Sequence, residues 1–318
     1  MTVVGGIDIG GTNMLAALVD DDHQLIEQAK YVTPPTGPDA VLGQVAQIVG
    51  EFKQRPSAVG IGIPGPVSGG VVTRPPNLGH WPAEFPLAAK LRQALNLPVE
   101  VGNDVNVAAL GEWVAGAGRG ANFMLGVWMG TGVGGGLILD GRPYMGAFGG
   151  AGEFGHIIVH HGGAQCGCGR RGCIEAYAGR ASLERAVALA VAGGRTTSLL
   201  EIRERKGKDR LTSSVWAKAL EKGDSLATEL FDEAIAAIAI GVGSVINLLD
   251  LDRVVIGGGL AERFGQDLAG RIAAEAEPWT LVPDAGRKVV IAELGDGSGA
   301  VGAAALARAA LLLPDAAG

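Results

Sequence analysis

The order of apolar and polar residues along the chain predicts an α/β protein that uses one structural plan twice. Apolar runs between turn residues predict strands at 3–9, 14–19, 24–32 and 58–63, and again at 123–129, 137–139 and 253–256. Apolar residues at helical spacing predict a helix from about Asp39. The interval from Gly10 to Asp20 equals the interval from Gly130 to Asp140. We therefore interpret the two halves as a duplicated α/β unit, the second enlarged by insertions.

A glycine-rich stretch at 116–122 lies between the two halves and marks the predicted domain boundary. We predict a small α/β domain at 1–118 and a large α/β domain at 119–297. A helix rich in alanine and leucine, within about 298–318, is expected to pack back on the small domain and complete it. The longest apolar run, 234–249, is interrupted by glycine, serine and asparagine and is shorter than the ~20 residues that span a bilayer. It predicts a buried helix, and no contact with a membrane is expected.

The composition narrows the class of protein. Hydrophobic residues make up 47% and charged residues 19% of the 318 residues, which is typical of a folded globular chain. The net charge is -7 and the basic residues are scattered, so nucleic-acid binding is disfavoured. The N-terminus lacks a basic segment followed by an apolar one, so we expect no secretory signal and a cytoplasmic protein. The 53 glycines predict many tight turns and places where backbone approaches a ligand closely.

Two glycine-rich turns stand at matching places in the two halves. The first is Asp8-Ile9-Gly10-Gly11-Thr12-Asn13, and the second, Gly130-Thr131-Gly132 through Gly136, has five glycines in seven residues. Backbone N–H groups in such turns can face phosphate oxygens, so the pair indicates two loops that hold a polyphosphate. Asp8 would repel phosphate, and its expected role is to hold Mg²⁺. The alternative for the first turn alone is an ordinary hairpin.

A third glycine segment, Gly257-Gly258-Gly259, has a different setting. It follows a predicted strand and precedes a predicted helix at 261–276. Two interpretations stand side by side. The glycines admit an adenosine moiety, or they let the helix pack closely on the strand. The dinucleotide-binding fingerprint, in which a glycine turn opens a helix, is absent from the two earlier turns.

Asp104 is the candidate catalytic base. It follows Asn103 at a point where a predicted strand, beginning at Val99, becomes a helix. The helix dipole favours an ionised carboxylate in the first turn. In phosphoryl transfer such a base positions the attacking hydroxyl and takes its proton late, so an ordinary carboxylate suffices. The alternative is an acid that only caps the helix.

The three cysteines form the most specific pattern in the chain. Cys166, Cys168 and Cys173 lie within eight residues, and an odd number so tightly spaced is a poor disulfide framework. With His156, ten residues before Cys166, they would make a closed tetrahedral zinc site of the structural kind. His160 and His161 are alternative fourth ligands. We further expect His156 to use one ring nitrogen for zinc and the other for substrate.

Together these motifs resemble the ROK family (repressor, open reading frame, kinase), and most closely its ATP-dependent glucokinases. The most specific parts are Gly152-Glu153-Phe154-Gly155-His156 and the segment from Cys166 to Glu175. The resemblance covers nearly the whole chain. It implies the actin-like fold shared with hexokinases, in which two α/β domains surround a central cleft. It also implies the cofactors ATP, Mg²⁺ and structural Zn²⁺, with a homodimer or homotetramer as the assembly.

The resemblance also implies where substrates bind. The residues that would contact the sugar are Gly65, Asn77, Asn103, Asp104, Glu153, His156 and Glu175. Asp104 falls at the position of the family's catalytic base. The residues that would contact the nucleotide and its metal are Asp8, Gly10, Gly11, Thr12, Asn13, Gly130, Thr131, Gly132, Gly257, Gly258 and Gly259. The expected reaction is transfer of the γ-phosphoryl group of ATP to the 6-hydroxyl of glucose.

Two positions depart from the family pattern. Asn13 stands where many members have lysine, which removes a cation near the phosphates. Gly179-Arg180 stands where a serine-glycine pair is frequent, which affects the rim of the sugar pocket. The alternatives are a kinase for fructose, mannose or an N-acetylated amino sugar, and a glucokinase that uses polyphosphate. A more distant one is a non-catalytic, sugar-sensing repressor, but the chain begins on the first strand without DNA-binding helices.

Overall fold

The computed structural model describes residues 2–76, 78–282 and 286–312. Its strands are β1 (Val4–Ile9), β2 (Asn13–Val19), β3 (Leu25–Val32), β4 (Val59–Ile63), β5 (Val67–Ser68), β6 (Val71–Val72), β7 (Val99–Asn103), β8 (Phe123–Met129), β9 (Val133–Leu139), β10 (Arg142–Pro143), β11 (Arg253–Gly257) and β12 (Lys288–Ile291). Its helices are α1 (Pro38–Glu51), α2 (Leu87–Leu95), α3 (Asp104–Ala115), α4 (Glu175–Ala178), α5 (Arg180–Ala192), α6 (Leu199–Arg205), α7 (Ser213–Glu221), α8 (Ser225–Leu249), α9 (Gly259–Ala276) and α10 (Ser298–Leu312).

Two five-stranded sheets repeat one strand order. The first is β3-β2-β1-β4-β7, and the second is β10-β9-β8-β11-β12. In the first sheet β1 and β2 are antiparallel, whereas β4 and β7 join in parallel. In the second sheet β11 likewise pairs in parallel with β8 and β12. The repeated order confirms the predicted duplication of the plan.

The chain forms two compact units. The first comprises residues within 1–122, 136–152 and 293–318, and the second comprises 123–135 and 153–292. Residues 136–152 thus belong with the first unit, whereas the sequence prediction assigned them to the large domain. Compactness alone does not show that a unit folds or moves as a domain, so the predicted division at 118 stays a prediction.

In the first unit, helices cover both faces of the sheet. Apolar side chains of α1 and α2 pack on one face in a cluster that includes Ile7, Ile61 and Val99. Alanines of α10 pack on the other face against Val4 and Ala17.

Glycine permits the close approach of α10 to the sheet. A Cβ atom on Gly6 or Gly60 would overlap the carbonyl oxygen of Ala300 or Ala303, and one on Gly302 would overlap that of Val107. Backbone therefore lies against backbone where α10 meets the sheet and α3. Part of the glycine excess therefore serves packing, whereas the sequence predicted that the glycines serve tight turns and ligand contacts.

A buried carboxylate joins the end of α3 to the start of α10. Glu112 is 0% exposed. Its Oε1 accepts hydrogen bonds from Leu294 N (2.8 Å) and Ser298 Oγ (2.7 Å), and its Oε2 from Ala117 N (2.9 Å) and Glu293 N (3.0 Å). Four donors offset the cost of burying the charge. The sequence analysis missed this residue.

The core of the second unit is built around α8. This helix is long and apolar enough to cross a membrane, but 56% of its most apolar window is buried within the protein. It packs against α4, α7 and α9. A Cβ on Gly241 would overlap Ile174, so glycine lets the α4 region approach the helix. These contacts confirm the predicted buried helix.

Several predicted boundaries shift. The second glycine turn was predicted to reach Gly136, but β9 already begins at Val133. Gly136 lies within that strand, and a Cβ there would fall 2.7 Å from the Cβ of Ala109. Its glycine thus allows α3 to approach the strand. The helix predicted from 261 begins at Gly259, and the final helix is described to Leu312, with 313–318 outside the described residues.

Candidate active site

The first glycine turn is held by its own backbone and by Thr33. Gly10 N donates to Asn13 O at 2.9 Å, which closes the turn between β1 and β2. Thr33 donates from its hydroxyl to Gly10 O at 2.7 Å and from its backbone to Thr12 O. Gly11, Thr12 and Asn13 are exposed, so the turn presents an open surface.

Asp8 lies at the end of β1 among other carboxylates. Burial, then the neighbouring Asp104 and Asp296, raises the pKa of Asp8 to about 7. A Cβ on Gly299 would contact its carboxylate at the start of α10, and a Cβ on Gly62 would fall 3.2 Å from Oδ1. The glycines thus leave room for the acid. Carboxylate oxygens are the ligands that Mg²⁺ prefers, so Asp8 and its acidic neighbours are a donor set suited to this cation.

Asn103 caps α3 and orients Asp104. Asn103 Oδ1 accepts from Val105 N (3.0 Å) and Asn106 N (3.1 Å). Its Nδ2 donates to Asp104 Oδ1 at 2.9 Å and to Gly65 O at 3.1 Å. The N-cap of the helix is therefore Asn103, but Asp104 Oδ1 also accepts from Val105 N at 2.9 Å, so both interpretations of Asp104 remain open. The structure brings together Gly65, Asn103 and Asp104, whereas Asn77 lies outside the described residues.

Glu175 supports the second glycine turn in the second unit. Its Oε2 accepts from Val133 N at 3.0 Å, directly after the turn at Gly130-Thr131-Gly132. A Cβ on Gly132 would overlap this carboxylate oxygen, which explains why glycine stands there. Its Oε1 lies 3.5 Å from Cys166 Sγ. The same side chain thus contacts both the turn and the cysteine cluster.

The predicted metal ligands converge. The ligand atoms of His156, Cys166, Cys168 and Cys173 all lie within 4.8 Å of one another. Cys168 Sγ and Cys173 Sγ are 3.8 Å apart, and Cys166 Sγ is 3.8 Å from His156 Nδ1. Thiolates bound at ~2.3 Å in a tetrahedron stand about 3.8 Å apart, which the separation of Cys168 and Cys173 matches, so the four side chains are a donor set suited to zinc. The backbone and side chain of Arg170 lower the pKa of Cys168 to about 6, which favours the ligating thiolate.

His156 faces two groups with its two ring nitrogens. Nδ1 faces the thiols, and Nε2 lies 4.0 Å from Glu153 Oε2. The ring of His160 instead stacks on Tyr177, and His160 Nδ1 lies 3.4 Å from the Tyr177 hydroxyl. The structure therefore favours His156 over His160 as the fourth ligand, and His161 is not part of the cluster.

Packing accounts for two glycines of the third glycine segment. A Cβ on Gly257 would fall 2.6 Å from Trp128 Nε1, and one on Gly258 would overlap Met129 O, so these two glycines are needed for packing on β8. Gly258 also has a φ of +95°. Gly259 begins α9 and has only Ser213 Oγ near it, at 3.8 Å. The adenosine interpretation of this segment stays a prediction.

Sequence reasoning missed Asp296. This acid lies beside Asp8 and contributes to the rise in its pKa. The only signal for it is the segment Gly295-Asp296-Gly297 before the last helix, which sequence reasoning treats as a turn.

Comparison with known proteins decides the family. The model of the ROK family matches residues 4–310, which is nearly the whole chain. The protein belongs to the ROK family. This membership confirms the resemblance inferred from the motifs.

Three relatives illustrate the likeness. A glucokinase from Streptomyces coelicolor is 35% identical over 95% of this chain and 96% of its own. The ROK family glucokinase from Streptomyces griseus, solved in complex with glucose and AMPPNP, is 33% identical, covers 96% of this chain and 99% of its own, and has a TM-score of 0.80. An N-acetylgalactosamine kinase, AgaK of Shewanella sp. strain ANA-3, is 33% identical over 81% of this chain and 82% of its own. The paired sheets and the likeness to the Streptomyces griseus structure confirm the predicted actin-like α/β fold.

Proposed function

We propose that this protein is an ATP-dependent glucokinase that transfers the γ-phosphoryl group of ATP to the 6-hydroxyl of glucose. The observation that carries the proposal is the placement of Asp104 at the start of α3, where its carboxylate accepts a hydrogen bond from Asn103. Likeness to glucokinases over nearly the full chain supports it.

Asp104 is proposed as the base. Its carboxylate accepts the proton of the sugar hydroxyl as the phosphoryl group transfers, and Asn103 keeps it oriented through a 2.9 Å hydrogen bond. Because Asn103 also binds Gly65 O, the loop after β4 and the base share one anchor. The residues proposed to contact the sugar are Gly65, Asn77, Asn103, Asp104, Glu153, His156 and Glu175.

The two glycine turns are proposed to bind the phosphates of MgATP. Gly10 to Asn13 present an exposed turn, and Gly130 to Gly132 form a second turn tied to Glu175. Asp8 is the residue proposed to hold Mg²⁺, which would relieve the repulsion with Asp104 and Asp296. Gly259 is proposed to lie near the adenosine.

Zinc, when bound by His156 and the three cysteines, would be structural, because four protein ligands leave no position for water. The metal would fix the ring of His156, and the ring nitrogen that faces Glu153 would then donate to a sugar hydroxyl. A homodimer or homotetramer, and location in the cytoplasm, remain predictions of the family resemblance.

One assay tests the function against its alternatives. Glucose, fructose, mannose, N-acetylmannosamine and N-acetylgalactosamine are each offered with ATP and with polyphosphate. We expect the highest kcat/KM for glucose with ATP. A higher value for an N-acetylated sugar would favour the activity named for the Shewanella relative, and a higher value with polyphosphate would change the donor. Phosphorylation of no sugar would favour the non-catalytic sugar sensor.

A further inference from the structure

Arg180 reaches the second glycine turn from the start of α5. Its guanidinium Nη2 donates to Thr131 Oγ1 at 2.5 Å. Its backbone N–H donates to Gly130 O (3.2 Å), and that of Ala181 donates to Thr131 O (3.1 Å). The start of α5 thus fixes the backbone of the turn and places a cation beside its hydroxyl.

The surroundings of Arg180 leave its charge without an ion-pair partner. Among the residues that the structure describes, no carboxylate lies within the 4.0 Å of an ion pair with its guanidinium. Partial burial, then the neighbouring Arg210, lowers its pKa, whereas Glu184 acts in the opposite sense. An anion at the turn would offset both the burial and the repulsion between the two arginines.

No lysine or arginine stands within the first glycine turn itself. Residues 10–13 are two glycines, a threonine and an asparagine, and the nearest charged residue in sequence is Asp8. A guanidinium presents five N–H donors in a planar fork that matches two phosphate oxygens at once. With one donor on Thr131, the others remain for a ligand that approaches the turn.

We propose that Arg180 binds the terminal phosphates of ATP at the second glycine turn, an assignment that rests on the proposed kinase function. Arg180 places a positive charge from α5 beside the second turn, whose own residues carry none. The replacement of the frequent serine-glycine pair by Gly179-Arg180 therefore concerns the phosphate donor, whereas the sequence analysis assigned it to the rim of the sugar pocket.

Binding of AMP, ADP and the non-hydrolysable analogue AMPPNP, measured by calorimetry with Mg²⁺, tests the assignment. The variants are Arg180→Ala and Arg180→Lys, with Arg185→Ala as the control, since Arg185 lies on the same helix and donates instead to Ser182 Oγ at 2.8 Å. Hydrogen bonds to a charged group are each worth about 1.5–3 kcal/mol, so Arg180→Ala should weaken AMPPNP binding about 10- to 150-fold. AMP binding should be unchanged, because AMP lacks the terminal phosphates. Arg180→Lys, which keeps the charge but not the fork, should fall between.

Steady-state kinetics separate this assignment from the proposed function. We expect Arg180→Ala to raise the KM for ATP and leave the KM for glucose unchanged. Equal losses of AMP and AMPPNP affinity would mean that Arg180 only holds the turn, and an unchanged KM for ATP in an active enzyme would also overturn the assignment. A wild-type protein that phosphorylates no sugar would instead overturn the proposed function.

Discussion

At the residue scale, Asn103 and Asp104 divide two tasks that a single acid at a helix start often combines. Asn103 caps α3 through Oδ1, and its Nδ2 turns toward Asp104. Because a neutral amide satisfies the end of the helix, the neighbouring carboxylate is oriented by a donor that carries no charge. The hydrogen bond from Asn103 holds the carboxylate in one orientation, which suits a residue proposed to accept a proton from a positioned hydroxyl.

Replacement of Asp104 by asparagine should remove catalysis and keep sugar binding. Asparagine has nearly the same shape but cannot accept the hydroxyl proton, and loss of a positioned base costs about 10²–10⁴-fold in kcat. Calorimetry should give a glucose affinity close to that of the wild type. Glu100→Gln is a matched control on β7, since Glu100 pairs only with the surface residue Arg92. If Asp104→Asn keeps a tenth of the wild-type kcat, Asp104 is not the base.

The residues that could be predicted at this scale are those whose chemistry is written in local sequence. The cysteine cluster and the pair Asn103-Asp104 fall into this class, since spacing alone brings them together. Asp296 and Glu112 do not, because each acts on residues more than a hundred positions away. No local sequence pattern distinguishes such an acid from one that only lies exposed to solvent at the surface.

At the element scale, the cysteine-bearing segment has little regular structure of its own. Between Ile157 and Ile174 its backbone is joined by isolated bridges, Ile158 with Cys173 and Gln165 with Arg171. The segment precedes α4, and its ligand His156 lies in a single turn of 3₁₀ helix. A metal with four ligands would therefore supply much of the order that a longer helix or strand supplies elsewhere.

Loss of a zinc ligand should weaken sugar binding and stability together. His156→Ala and Cys168→Ala should each lose zinc by elemental analysis, unfold at a lower temperature and bind glucose more weakly by calorimetry. Nucleotide affinity should change little in the folded fraction. His160→Ala and His161→Ala are the controls and should keep one zinc per chain, because His160 contacts Tyr177 instead. Full zinc content and normal glucose affinity in His156→Ala would rule out the bridging role of this histidine.

Element boundaries were predicted least well where glycine serves packing. The second glycine turn was predicted through Gly136, yet β9 begins at Val133. A glycine required by a turn and a glycine required by a close neighbour are identical in sequence. Only the partner, here Ala109 on α3, distinguishes them, and that partner is known only after folding.

At the scale of the whole molecule, the duplicated plan was predictable, whereas the membership of each segment in the compact units was not. The repeat of strand, glycine turn and strand is visible in sequence, and both sheets follow it. Residues 136–152 belong with the first unit although they follow the start of the second. Membership of a compact unit depends on long-range contacts, which periodicity does not record.

The stability of the whole molecule should depend on pH through Asp8. Its folded pKa is raised to about 7 from 3.8, so the folded state binds the proton more tightly than the unfolded state does. The resulting stabilisation is complete below about pH 4 and is lost as the pH rises through 7. Without Mg²⁺, Asp8→Asn should therefore match the wild type near pH 4 and exceed it in stability above pH 7, by roughly 2–4 kcal/mol for this buried carboxyl.

Thermal unfolding of both proteins from pH 4 to 8, with and without Mg²⁺, measures this difference. Mg²⁺ should reduce it by stabilising the ionised carboxylate. Asp21→Asn is a control of opposite sign, since Thr2 N–H and Arg308 lower the pKa of Asp21 and its loss should destabilise the protein at neutral pH. A difference between Asp8→Asn and the wild type that does not change with pH would contradict the prediction.

The backbone contact between α10, the first sheet and α3 restricts how the gene for this protein can change. Every single-base missense change in a glycine codon encodes a residue with a Cβ atom. At Gly6, Gly60 and Gly302 that atom would overlap a neighbouring carbonyl oxygen, whichever residue is introduced. Alanine is the mildest replacement for glycine at most positions, but at these three its Cβ causes the same overlap as that of any larger residue. A library of all single-codon variants selected for growth on glucose should thus lose alanine at these three codons as completely as it loses arginine.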